Sequence, residues 1–290
     1  AEGNRIRRRS IRHDPEETAD HVRRCKALFT PAFFAERKGY GADAGDPVFI
    51  VGLPRVGSTL VEQILASHSA VEGTKELVNL SGIALSLGPA NTGLAEERYP
   101  EVLGGLRQEA FHELGRRYVA QTRSQRKLDR PFFIDKMPNN FAHVAFIHLI
   151  LPHARIIDVR RHPMACGWSL FKHLFARGQN FSYSLEDIAA HYRSYVDLMA
   201  HFDAVLPGRV LRVCYESLVN ETEAEVRRLL EYCGLPFEES CLRYFDNSRA
   251  VSTPSSEQVR TPIFRDALEH WRNFEPWLLQ LRETLRSPDR

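Results

Sequence analysis

A chain of 290 residues with 43% hydrophobic and 26% charged side chains can bury a large core and has the balance of an ordinary globular protein. Its formal net charge of +2 excludes a surface that binds nucleic acid by overall charge. No apolar run reaches the ~18 residues of a membrane span, and the charged first residues lack the apolar stretch of a signal peptide.

Five cysteines (Cys25, Cys166, Cys214, Cys233 and Cys241) form no C-x-x-C pair, which reads as buried, reduced thiols. These features together predict a cytoplasmic location, with no membrane and no nucleic-acid partner. The chain opens on Ala1-Glu2-Gly3 without Met, as a processed form or one domain of a longer protein would.

The basic run Arg5-Ile6-Arg7-Arg8-Arg9 reads as a solvated tail. Asp14-Pro15-Glu16-Glu17 combines an N-cap, a proline at the first helical position and acids in the first turn, so a helix to about Phe29 is expected. Thr30-Pro31 repeats the cap, and Gly39 ends that second helix. Residues 1–45 thus read as a helical N-terminal extension, and 46–290 as the main domain.

Four apolar runs then read as buried strands: Val48–Val51, Phe132–Asp135, Arg155–Val159 and Arg209–Cys214. Helical patterns alternate with them at Gly57–Ser67, Glu101–Thr122, Asn140–Leu151, Pro163–Ala176, Ser184–Leu206 and Glu221–Cys233. A last one lies near Asp266–Leu285. Alternation of this kind predicts an α/β fold: a P-loop NTPase-like parallel sheet covered by helices on both faces.

The most informative stretch is Gly52-Leu53-Pro54-Arg55-Val56-Gly57-Ser58-Thr59-Leu60, between a strand and a helix. Gly52 and Gly57 have the spacing of the phosphate-cradling G-x-x-x-x-G-K-[ST] loop, but Ser58 fills the lysine slot. Backbone N–H groups at such a turn favour an anion, Ser58 and Thr59 add hydroxyl donors, and Arg55 adds a planar cation. The missing lysine argues against gripping a γ-phosphate. A second strand-to-helix turn carries Arg161, with Ser169 eight residues on. This pair predicts a second phosphate pocket, separate from the loop, as a nucleotide with phosphates at both ends would need. Two alternatives stay open on the residues alone. One is a P-loop small-molecule kinase, with Asp135 and Asp158 at strand ends as Mg²⁺ candidates; the other is a catalytically inactive nucleotide-binding module.

Leu53–Leu60 resembles the 5′-phosphosulfate loop of sulfotransferases, and Arg161…Ser169 resembles their 3′-phosphate motif. The sequence is most similar to tyrosylprotein sulfotransferases and to bacterial sulfotransferase domains joined to tetratricopeptide repeats, from about Asp14 to the C-terminal helix. The resemblance includes Asp135-Lys136-Met137-Pro138, Val213-Cys214-Tyr215-Glu216 and Ser255–Pro262. It implies 3′-phosphoadenosine 5′-phosphosulfate (PAPS) as donor, adenosine 3′,5′-bisphosphate (PAP) as product, and no required metal.

By that resemblance Arg55, Val56, Gly57, Ser58, Thr59 and Leu60 hold the 5′-phosphosulfate, and Arg161 and Ser169 the 3′-phosphate. Tyr215 lies near the nucleotide, and Gln258, Val259, Arg260 and Thr261 belong to a closing segment. Arg260 stands in for the lysine that the tyrosylprotein enzymes carry at position 261. Lys136 matches a lysine that stabilises the bridging oxygen. Glu76, 21 residues after Arg55, matches the glutamate general base. Departures in Ser67–Glu76 (Ser69 for proline, Lys75 for an acid) leave Glu72 or a histidine as alternatives. His68, His143, His148 and His162 read as structural or exposed. Ser252 is a candidate donor to the transition state, and Trp271 reads as core packing. The acceptor, a small molecule or a peptide (tyrosine, phenol or sugar), is expected to meet Val78–Pro100 and Arg177–Tyr183, with Phe175 and Phe181. Oligomeric state stays open, a homodimer among the options.

Overall fold

In the computed structural model, which describes residues 2–88, 98–175, 178–251, 255–263 and 265–286, the run Val48-Phe49-Ile50-Val51 lies inside strand β1 (Pro47–Gly52), every residue of it buried. A strand apolar at successive positions is stable only when both faces are covered. Here β1 is the centre of a five-stranded parallel sheet with β2 (Val71–Gly73), β3 (Phe132–Lys136), β4 (Arg155–Arg160) and β5 (Val210–Cys214), in the order β2-β3-β1-β4-β5. All strands being parallel, Gly52, Lys136, Arg160 and Cys214 end on one edge. Ligands of open α/β sheets bind at that edge, where neighbouring connections diverge.

The leading helices are α1 (Glu2–Arg9), α2 (Pro15–Leu28) and α3 (Pro31–Glu36). Asp14 Oδ1 accepts from Glu16 N–H at 2.9 Å, and Thr30 Oγ1 from Phe33 N–H at 3.2 Å; these are the N-cap bonds the two motifs call for. The basic tail expected at the start is instead α1. It is tied down by Arg8, whose Nε donates to Asp187 at 2.8 Å, and by Asn4, which donates to the Phe171 carbonyl. After β1 come α4 (Ser58–Ala66), every residue buried, and α5 (Asn79–Leu85). Then follow α6 (Gln108–Thr122), α7 (Val144–Ile150), α8 (Pro163–Phe171), α9 (Leu185–Val205), α10 (Tyr215–Asn220), α11 (Thr222–Cys233), α12 (Asp266–Glu269) and α13 (Leu279–Arg286). Among the described residues no helix is long and apolar enough to cross a membrane.

Three expected helices break where local chemistry interrupts them. Gly104-Gly105 separate a short 3₁₀ turn (Glu101–Gly104) from α6. The segment Pro138–His143 is 3₁₀, so α7 starts only at Val144. Pro276 lies inside a 3₁₀ stretch, His270–Trp277, that divides α12 from α13.

Two tyrosine–aspartate bonds fasten helices to the sheet. Tyr118 of α6 donates to Asp135 Oδ2 at 2.6 Å, and burial pushes that carboxyl up to about 7. Tyr195 of α9 donates to Asp158, whose other oxygen accepts from Arg160 Nε at 2.8 Å; burial raises this carboxyl too. Phe49 pairs in register with Asp135 and packs on Tyr118, ring centroids 5.4 Å apart. Successive strand residues face opposite ways. Lys136, next to Asp135, therefore turns to the other face, where it meets Glu62 of α4. The sheet thus lies between α6 and α4, and Lys136 emerges on the α4 side at the carboxyl edge. On the far side of α9, Phe29 packs on Phe33, Phe34 and Phe202 with centroids 5.6–6.3 Å apart, which seats α2 and α3. A fully buried ring of this kind contributes roughly 2 kcal/mol or more.

Candidate active site

The last residue of β1 and the loop from it to α4 carry three residues with positive φ: Gly52 (φ +139°), Arg55 (φ +71°) and Gly57 (φ +100°). A side chain at Gly52 would place its Cβ 2.5 Å from the Val159 carbonyl oxygen, and one at Gly57 2.3 Å from the Tyr215 ring. Both glycines are therefore needed for close approach as well as for φ. Arg55 adopts the same region without that freedom, a strain typical of functional turns. Gly57 caps α4 with its carbonyl, which accepts from Leu60 and Val61 N–H, and the first turn of α4 presents its N–H groups to the edge cleft. Val56 is fully buried, so its contribution to a ligand would be through its backbone.

A cleft of about 280 Å³ opens beside this loop. Arg55 Nε donates to Ser169 Oγ at 3.2 Å and its Nη1 to Ser255 Oγ at 2.6 Å. Arg161 Nη1 donates to the Arg55 carbonyl at 3.4 Å, and its guanidinium lies 4.8 Å above the Tyr215 ring. The expected second pocket is thus not separate. Ser169 bonds directly to the loop arginine, so Arg161, Ser169 and the loop share one cleft. Lys172 joins them, a residue the sequence reading missed; it stands one helical turn beyond Ser169, the spacing that could have revealed it. Burial, then the charge of Arg161, lowers the Arg55 pKa; burial, then Arg55 and Arg161, lowers that of Lys172. Three crowded cations repel one another until an anion joins them.

Aromatic side chains form the rest of the wall. Trp168 stacks on Phe274 with centroids 4.2 Å apart, and Trp271 on His162 at 5.2 Å. Trp271, expected as core packing, is nearly buried yet lines the cleft. Gln258, Val259 and Leu60 line it too. Arg260 and Thr261 are placed differently. Arg260 donates to the carbonyls of Asn247 and Arg249, and Thr261 offers its carbonyl to the Tyr244 hydroxyl at 3.0 Å; both therefore brace the closing segment rather than face the cleft.

On the other side of Arg55, Gly57, Thr59 and Ser255 lies a smaller compartment of about 180 Å³, lined also by Ser58, Glu76, Lys136 and Asn139. Lys136 Nζ sits 2.6 Å from Glu76 Oε1 and 3.9 Å from Glu62 Oε2. The lysine side chain is 3% exposed and the Glu76 side chain 46%, so the pair presents the carboxylate outward and the cation inward. Glu62 Oε1 accepts from Arg249 Nη2 at 2.8 Å, closing a chain of alternating charges. Glu62 was missed from sequence. Its signal was a lone acid inside the apolar, buried stretch of α4.

The alternative bases lie elsewhere. Buried Glu72 accepts from the backbone N–H groups of Lys127 and Leu128, the latter at 2.7 Å. His68 bonds the Pro236 carbonyl through Nε2 while its Nδ1 accepts from Ala70 N–H at 3.0 Å. His143, pushed down to about 3 by burial, meets the Tyr99 hydroxyl at 2.8 Å. Burial also lowers His148 to about 4. Ser252, Arg177 and residues 89–97 of the Val78–Pro100 stretch lie outside the described residues.

A model of the sulfotransferase family matches residues 47–239, which hold the sheet, the loop, Glu76, Lys136, Arg161 and Ser169. The chain belongs to the sulfotransferase family. An uncharacterized protein of Aquifex aeolicus is 32% identical over 98% of this chain, and protein-tyrosine sulfotransferase 1 of Danio rerio is 24% identical over 77% of it. The chain spans 38% and 65% of the length of these two relatives. Among solved structures, the sulfotransferase domain of the Synechococcus PCC 7002 olefin synthase superimposes with a TM-score of 0.56 at 21% identity, covering 86% of this chain and 97% of that domain. The likeness is one of fold.

Proposed function

We propose that this family member transfers a sulfuryl group from PAPS to a hydroxyl acceptor, with Glu76 as general base and Lys136 and Arg55 as the cations of the transfer site. The observation that carries this reading is the Lys136–Glu76 pair at 2.6 Å, in a compartment that shares Arg55, Gly57 and Thr59 with the nucleotide-sized cleft. The cleft fits a nucleotide with phosphates at both ends. Arg161, Lys172 and Ser169 meet one phosphate, the loop and α4 the other, and Trp168, Tyr215 and Trp271 supply faces for a base.

Sulfuryl transfer forms one bond from the acceptor oxygen to sulfur as the bond from sulfur to the leaving phosphate breaks. Glu76 takes the acceptor proton. Lys136, desolvated and held by Glu62, faces the charge that grows on the bridging oxygen, and Arg55 faces the loop side. Charge stabilisation by fixed groups in a site shielded from water supplies most of such an acceleration.

The kinase reading loses ground on two observations. Ser58 stands in the lysine slot, and the acids considered for Mg²⁺, Asp135 and Asp158, are buried and bonded to Tyr118, Tyr195 and Arg160. Calorimetry tests the reading: PAP is expected to bind at micromolar concentration or better, and ATP·Mg²⁺ at least tenfold more weakly. Lys136→Ala is expected to keep PAP binding and lose ~10²–10³ in kcat. ATP·Mg²⁺ binding without a PAP response would overturn the proposal.

A further inference from the structure

Asn139 and Gln179 line both the transfer compartment and a second cavity of about 340 Å³, so the two cavities adjoin at these side chains, beside the Pro138–His143 segment that starts two residues after Lys136. Gln179, at the junction, holds φ +52° and ψ +38°, a conformation that a non-glycine residue adopts rarely. The outer wall is α2, through Thr18 and Val22; α9 contributes His191. Inside, Phe181 stacks on the His191 imidazole with centroids 3.8 Å apart, and Phe141 meets the same ring edge-on at 5.9 Å.

The cavity is polar but scarcely charged. Burial lowers the pKa of His13 and His21 and takes His191 to about 4, so all three are neutral imidazoles at pH 7. Among the described residues, His13 Nε2 and His191 Nδ1 have no hydrogen-bond partner. Among the described lining residues Glu17 is the one carboxylate, and no lysine or arginine is present. The charges around it come in pairs of opposite sign: Arg12 lies 3.7 Å from Glu17, Arg8 pairs with Asp187, and Arg24 pairs with Glu101 and Asp20 near His21, with Asp14 close to His13. An anionic acceptor would meet the Arg12–Glu17 pair at the rim and no lysine or arginine among the described lining residues to balance its charge. Aromatic faces with a few neutral donors and acceptors suit a flat, uncharged ring.

We propose that this cavity is the distal subsite of the acceptor, and that the acceptor is an uncharged aromatic alcohol of two or three rings. Its hydroxyl meets the outward-facing Glu76 carboxylate beside Lys136, and its far ring lies between the Phe181–His191 stack and α2. The proposal rests on the sulfuryl-transfer reading and adds the acceptor class.

The test compares three probes with PAPS as donor: phenol, biphenyl-4-ol and an acidic tyrosine-containing peptide. Biphenyl-4-ol is expected to exceed phenol in kcat/KM by ~30-fold, the effect of burying a second ring. Thr18→Trp, which fills the subsite from α2, is expected to cut that ratio to ~3 with PAP affinity unchanged. Asn180→Trp, a substitution at an exposed position, approaches the same cavity from the opposite wall and is expected to do the same. Direct titration of biphenyl-4-ol into the PAP complex should weaken about tenfold in both variants. An unchanged ratio in both folded variants would overturn the proposal. So would faster turnover of the acidic peptide, or PAP binding without any binding of biphenyl-4-ol. Absence of PAP binding altogether would instead overturn the sulfuryl-transfer reading beneath it.

Discussion

At the scale of single residues, the smaller compartment rests on the Lys136–Glu76 pair at 2.6 Å with the buried Glu62 carboxylate behind it. Arg55, Ser58, Thr59 and Arg161 were legible because each stands in or beside a strand-to-helix turn, where side chains gather at the sheet edge, and Ser169 by its spacing from Arg161 along α8. Glu62 and Trp168 were not singled out, because each is one position on a helix whose facing partner comes from elsewhere in the chain, and Lys172 was not because it stands just past the end of α8. Glu62 is the clearest case. It lies 3.9 Å from Lys136 and 2.8 Å from Arg249, contacts set only by the fold. We assign it a positioning role, keeping the Lys136 cation aimed between β3 and the loop. Glu62→Gln keeps the shape and removes the charge. It is expected to lower kcat about tenfold with PAP affinity unchanged, whereas a merely structural role would lower the melting temperature and leave kcat per folded molecule intact. Glu76→Gln is expected to cost ~10²–10⁴ in kcat, as loss of a general base does.

At the scale of elements, the apolar runs identified β1, β3, β4 and β5, because a strand buried on both faces needs an unbroken hydrophobic stretch. β2 escaped: it has three residues, and its central one is Glu72. That glutamate accepts from the backbone of Lys127 and Leu128 and so ties the edge strand to the turn before β3. The bond of Tyr118 to Asp135, between α6 and β3, yields a pH test. The folded Asp135 carboxyl titrates at about 7, above the unfolded value of ~4, so the native state favours its protonated form. Its contribution to stability is full below pH 4 and is lost as pH rises to about 7. Asp135→Asn removes this dependence. In thermal melts the difference between variant and parent is therefore expected to shift in the variant's favour from pH 5 to pH 8. Parallel curves would mean that Asp135 is charged in the native state.

At the scale of the whole molecule, the site exists only where four strand ends meet: the loop after β1, Lys136 at the end of β3, Arg161 after β4 and Tyr215 after β5. Donor binding should therefore brace the entire sheet edge. PAP at a hundredfold excess over its Kd is expected to add about 2.7 kcal/mol to stability. For a chain of this length that corresponds to a melting-temperature rise of ~4–5 °C, most of it absent in Arg161→Ala. By itself the sequence determined the fold class, the glycine spacing of the loop after β1 and the family. These follow from hydrophobic periodicity, glycine spacing and short motifs, all of them local along the chain. The tertiary structure decided the rest. It put Arg161 and Ser169 in one cleft with the loop through the Arg55–Ser169 bond, bonded Arg260 and Glu72 to backbone groups outside that cleft, and set α2 against the cavity beside Asn139. The physical reason is that these contacts join residues far apart in sequence. Their distances depend on how helices seat against the sheet, a property that no single stretch of chain encodes.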